Sequence, residues 1–112
     1  MARFVKVADV GEVPPGTVKL VFVEGFPVAL YNVEGQVYAT DDTCTHDEAS
    51  MSEGKLTGPV IKCYLHGAEY DVRTGKVLRM PAVAPLNTHA VKVEGKEIWV
   101  SLDGQGQGGG SL

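Results

Sequence analysis

The chain has 112 residues, 44% of them hydrophobic and 21% charged, with a net charge of −4. That length suits one domain rather than two, and the acidic balance argues against a nucleic-acid partner. No stretch has the roughly 20 apolar residues of a membrane span, and the start, Met1-Ala2-Arg3-Phe4-Val5-Lys6, lacks a signal peptide's apolar core, so no membrane association and a cytoplasmic location are expected.

Strand signals dominate along the chain. Pro14-Pro15-Gly16 marks a loop after the first strand. Thr17 to Val23 then reads T-V-K-L-V-F-V, with Val18, Leu20 and Phe22 on one face. Pro27 to Val33 is a second apolar run and Gln36 to Thr40 a third, while Ala90 to Val93 and Glu97 to Leu102 form a late pair. Branched and aromatic residues at these lengths favour strands over helices. Val-Glu-Gly occurs three times, at 23–25, 33–35 and 93–95, each time between strand-like runs. Glycine reaches the positive φ that tight hairpins need, so three hairpin turns are predicted, with a fourth turn at Thr74-Gly75-Lys76. The region from Asp41 to Gly58 has little apolar periodicity, and a short helical turn is predicted near Glu48 to Ser52. Residues 104–112 form a Gly-rich tail whose composition predicts flexibility. The expectation is one domain over 1–103, followed by that tail.

Only two cysteines and three histidines are present, and two tight pairs use all but one of them: Cys44-Thr45-His46 and Cys63-Tyr64-Leu65-His66. Sixteen residues separate the pairs. Each offers one soft thiolate and one imidazole, both suited to iron in a sulfide environment. Two ferric ions (+6), two sulfides (−4) and two thiolates (−2) sum to zero when both histidines are neutral, whereas four thiolates leave −2. Adding an electron to a neutral cluster costs less, so histidine ligation raises the potential. A structural Cys2His2 zinc site is the rival reading, although the single residue inside Cys44-Thr45-His46 is tight for chelating one metal. A Cys44–Cys63 disulfide needs an oxidising compartment. His89 stands apart from both pairs and is expected in a surface or core role.

At these residues the chain resembles the Rieske family. Cys-x-His and Cys-x-x-His-Gly match its signature, and the likeness extends to Tyr38–His46, to Cys63–Val72, and to Thr74-Gly75-Lys76 followed by Met80-Pro81-Ala82. In particular it resembles the stand-alone ferredoxins of bacterial aromatic ring-hydroxylating dioxygenase systems. The resemblance implies an all-β fold of stacked antiparallel sheets, with a small cluster-binding subdomain formed by two loops, at about 41–82. It implies one [2Fe–2S] cluster per chain, with Cys44 and Cys63 on one iron and His46 and His66 on the other. It also implies a monomeric one-electron carrier, not an enzyme in its own right. Such a carrier docks transiently through its cluster end, taking electrons from a flavoprotein reductase and passing them to a terminal oxygenase. The alternatives are a similar ferredoxin serving another acceptor, or the metal module already named.

Two departures flank the ligands. Asp47 replaces the family's usual Gly after the first histidine, and Tyr64-Leu65 replaces a frequent Pro-aromatic pair. Respiratory members carry two further cysteines and a serine donor toward the cluster, where this chain has no spare cysteine and has Ala68. Tyr70 stands at the family's tyrosine donor position. Losing a donor to sulfur lowers the potential, so a value near the low end of the Rieske range, about −150 mV, is expected. Leu65, Met51, Met80 and Pro81 are expected as an apolar rim around exposed histidines, with Asp47 and Glu48 as local negative charge for a basic partner.

Overall fold

The computed structural model describes residues 4–43, 50–64, 67–79 and 84–102. Among them are ten strands and two single 3₁₀ turns, at Val10–Glu12 and Met51–Glu53, and no α-helix. Strands β1 (Val5–Asp9), β2 (Val18–Val23), β3 (Phe26–Val33), β4 (Gln36–Asp41), β9 (Thr88–Glu94) and β10 (Glu97–Ser101) form an antiparallel sheet in the order β1-β10-β9-β4-β3-β2. Strands β5 (Lys55–Thr57), β6 (Val60–Lys62), β7 (Glu69–Asp71) and β8 (Val77–Arg79) form a second, antiparallel sheet in sequence order. The all-β class with stacked antiparallel sheets is as the sequence implied.

The three Val-Glu-Gly segments are all hairpin turns, yet they are not the same turn. In the first two, glutamate and glycine both take positive φ: 53° and 85° at Glu24–Gly25, then 53° and 95° at Glu34–Gly35. That is the mirror-image turn whose twist matches its flanking strands. In the third, Glu94 pairs with Glu97, so Gly95 and Lys96 are the central residues and only Gly95 has positive φ, at 61°. Strand β9 runs one residue further than its counterparts, which moves the glycine to the opening position of the turn.

Strand β3 explains the layering. Its continuous run Val28–Asn32 is buried on both faces. Val28 and Leu30 join a core with Val21, Val23, Val37, Ala39, Val91, Ile98 and Val100, all within the large sheet. Ala29 and Tyr31, on the opposite face, join a second core with Met51, Ile61, Cys63, Ala68, Tyr70, Val72 and Leu86. A side-chain period of two sends alternate residues to opposite sides, so one strand serves both cores. Full burial of a side chain such as Ile61 or Met51 contributes about 2 kcal/mol. The second core therefore fixes the small sheet, and the loops attached to it, on the outer face of β3.

The face of β2 that carries Val18, Leu20 and Phe22 is not its buried one. Val21 and Val23 point into the core, while Leu20 and Phe22 are exposed. The strand sits at the edge of the large sheet, and the second core reaches over it only as far as Val18.

Candidate metal centre

The site is built where strand β4 leaves the large sheet. Asp41 ends the strand and Thr43 forms an isolated bridge with Ser50, so the chain on either side of residues 44–49 is held together. Asp42 makes that junction rigid. Its carboxylate accepts from the Ser50 hydroxyl at 2.5 Å and from the Ser52 N–H at 2.9 Å, and its carbonyl accepts from the Met51 N–H at 2.6 Å. Asp42 is buried, so these bonds satisfy a charge that would otherwise be costly to enclose.

The second pair begins where β6 ends. Cys63 is buried, and its N–H donates to the Ala68 carbonyl at 2.7 Å. The Gly67 N–H returns to the Cys63 carbonyl at 3.1 Å, closing a tight loop. Gly67 takes φ 80°, a conformation that side-chain-bearing residues rarely adopt. The Cys-x-x-His-Gly spacing thus has a local reason: the glycine lets the chain turn straight back into β7.

The chain that follows residues 44–49 meets the strand before Cys63 at Gly54. A Cβ on this residue would stand 2.2 Å from the Lys62 carbonyl oxygen, so the exit of the first loop is pressed directly on the strand that delivers Cys63. Met51 follows the first loop and shares a core with Cys63, Ala68 and Tyr70. A cavity of about 240 Å³ opens beside Cys63, lined also by Glu53, Gly54, Lys55, Lys62, Tyr64 and Gly67.

Cys44, His46 and His66 lie outside the described residues, as do Asp47, Glu48, Leu65, Met80, Pro81 and the 104–112 tail. What the structure places is Cys63 and both bases of the two loops. Met51, expected at an apolar rim, is fully buried instead. Its thioether fills the space between β3 and the small sheet, where Ile61 and Tyr70 enclose it, so it supports the loops from beneath. Tyr70 and Ala68 are buried in the same core as Cys63, and Ala68 has no side-chain donor to offer.

His89 takes a core position. Its Nε2 lies 2.7 Å from Asp41 Oδ1, and the other carboxylate oxygen accepts from Asn87 Nδ2 at 2.9 Å. The Phe26 ring packs edge-on to the imidazole. These contacts tie the end of β4 to β9. Sequence reasoning missed Asp42 and Gly54 as the pieces that hold the loop bases. The one available signal was a glycine between a polar segment and a strand.

The one described donor, Cys63, is a buried thiol beside a cavity, and the chain that follows residues 44–49 packs against Lys62 next to it, a setting suited to an iron–sulfur cluster. The comparisons with known proteins agree. Residues 3–90 match the Rieske [2Fe-2S] domain model, and the chain belongs to that family. It is 47% identical over 91 residues to the ferredoxin component of the naphthalene 1,2-dioxygenase system of Pseudomonas aeruginosa, covering 81% of this chain and 88% of that protein. It is 44% identical over 100 residues to the biphenyl dioxygenase ferredoxin subunit of Pseudomonas sp. strain KKS102, covering 88% and 92%. Among solved structures, a chain from the complex of reduced oxygenase and oxidized ferredoxin in carbazole 1,9a-dioxygenase is 42% identical with a TM-score of 0.83, over 88% of this chain and 92% of that one. The ferredoxin of carbazole 1,9a-dioxygenase from Nocardioides aromaticivorans IC177 is 34% identical with a TM-score of 0.84, over 87% and 95%. The chain is a Rieske-type ferredoxin with a [2Fe–2S] cluster, a carrier of electrons in a dioxygenase system rather than a catalyst.

Proposed function

We propose that Cys44, His46, Cys63 and His66 hold the cluster, with both thiolates on one iron and both imidazoles on the other. When bound, the cluster takes up one electron and gives one up. The chain's own residues hold it. Asp42 and Gly54 fix the base of the first loop against the second, and Gly67 turns the second loop back into the sheet. The observation that supports the reading is the packing of Gly54 on Lys62, which brings the chain just after the first Cys–His pair against the residue just before Cys63. In this reading residues 1–103 are one domain, its cluster-binding part is about 41–82, and 104–112 is a tail.

The carrier takes electrons from a flavoprotein reductase and delivers them to a terminal ring-hydroxylating oxygenase, acting as a monomer in the cytoplasm. The relative seen with its oxygenase supports the acceptor. No helix among the described residues is long and apolar enough to cross a membrane. The test is metal analysis with optical and paramagnetic-resonance spectra of the purified protein. About two irons and two sulfides per chain, with a low average g on reduction, are expected. Stoichiometric zinc without colour overturns the assignment. Reconstitution with a flavoprotein reductase and an oxygenase then tests the partners, and failure to relay electrons between them overturns that part.

A further inference from the structure

The outer face of the small sheet carries a row of charges that the net charge conceals. Lys55 pairs with Lys62, Lys62 with Glu69, and Glu69 with Arg79, so four charged side chains cross the four strands in register. Three of the four are cations, in a chain whose net charge is −4. Like charges placed directly opposite one another destabilise a sheet. Among the described residues, no carboxylate comes within ion-pair distance of Lys55 or Lys62. Both lysines line the cavity beside Cys63. The Lys62 stem also lies over the second loop, its Cε 3.4 Å from where a Cβ on Gly67 would be, one residue beyond His66.

We propose that Lys55 and Lys62 act as an exposed pair of positive charges that favours the reduced cluster and so raises the potential of this carrier. The inference rests on the ligand assignment proposed above. Reduction adds one electron from the donor protein, makes and breaks no bond, and takes the cluster from neutral to a single negative charge. Two ammonium groups at the edge of its pocket stabilise that added charge. Glu53 borders the same cavity and Glu69 flanks Lys62 in the row, and both oppose the effect. The lysines outweigh them because Lys62 is laid against the ligand loop itself. This pull acts upward, against the downward effect of Ala68.

The test compares K55Q, K62Q, the double variant, and K55R with K62R, each loaded with cluster and titrated against a redox dye at low and high ionic strength. Each Lys→Gln change is expected to lower the electron-exchange equilibrium constant about twofold to fivefold, additively in the double variant, with the difference shrinking in salt. The arginine variants should match the parent. A double Gln variant with the parent's midpoint at low salt overturns the proposal, as does an arginine pair that shifts as far as the glutamine pair. Absence of a Rieske spectrum in the parent overturns the ligand assignment instead, so the two failures are distinct.

Discussion

Replacing Gly54 with alanine tests whether close approach of the loop bases builds the site. Gly54 has φ −83° and ψ −174°, extended backbone that alanine adopts freely, so conformational strain is not the obstacle. Space is. The new Cβ would lie 2.2 Å from the Lys62 carbonyl oxygen, and 3.2 Å from that carbonyl's carbon and from the Met51 oxygen. Carbon and oxygen settle at about 3.3 Å, so the two backbones must part by roughly 1 Å. The neighbouring rung, Lys55 opposite Lys62, opens with them. Overpacking of this kind costs about 1–3 kcal/mol, and weakening a backbone hydrogen bond adds about 1 kcal/mol. We expect a loss of about 3 kcal/mol, or a Tm lower by roughly 10–20 °C for a domain of this size. Urea unfolding of the cluster-loaded protein reads the first quantity, and iron retained after mild chelation reads the consequence for the site. Gly11→Ala is the control, because nothing lies within 4 Å of its Cβ position. A G54A variant within about 0.5 kcal/mol of the parent, with its iron retained, refutes the reasoning.

Asp42→Ala removes two hydrogen bonds to a buried carboxylate and should cost about 3 kcal/mol, with iron lost faster on chelation; a stability equal to the parent's by urea unfolding would show that the loop base is held elsewhere. Cys63→Ser should abolish the visible spectrum while leaving a folded chain by far-ultraviolet circular dichroism. Ala68→Ser should raise the midpoint potential if the new hydroxyl donates to a cluster sulfur, and protein-film voltammetry reads the direction. The Arg73 guanidinium, donating to both carboxylate oxygens, holds Asp71 below the usual carboxylate range. A depressed folded-state pKa adds stability that is present above the unfolded value of about 3.9 and disappears as pH falls through the folded value. Arg73→Gln should therefore flatten the decline in stability between about pH 5 and pH 3, and an unchanged slope in urea titrations across that window contradicts the pairing.

Much of the fold was legible because its signals are local. Branched residues in short runs, separated by glycine, mark strands wherever they fall, and the three Val-Glu-Gly turns stand where the pattern put them. The small strands β5 and β6 were not legible. Each is three residues long, too short to show a period, and they are held by packing Leu56 and Ile61 into the core formed with Tyr70 and β3. The buried face of β2 was also hidden. Val18, Leu20 and Phe22 are as apolar as Val21 and Val23, and only which face of β2 the large-sheet core covers decides which set is buried.

The same division runs through the site. The sequence by itself supplied the candidate donors, two Cys–His pairs with glycine after the second, in a pattern that resembles the Rieske signature. The tertiary structure decided what braces the chain on either side of them. Asp42 reaches forward to Ser50 and Ser52, Gly54 meets Lys62 across a strand, and Met51 turns inward rather than out. The Lys55–Lys62 row exists only because strand register sets residues seven apart in sequence directly opposite each other. Such contacts depend on where the chain returns in space, which the linear order of residues does not encode locally.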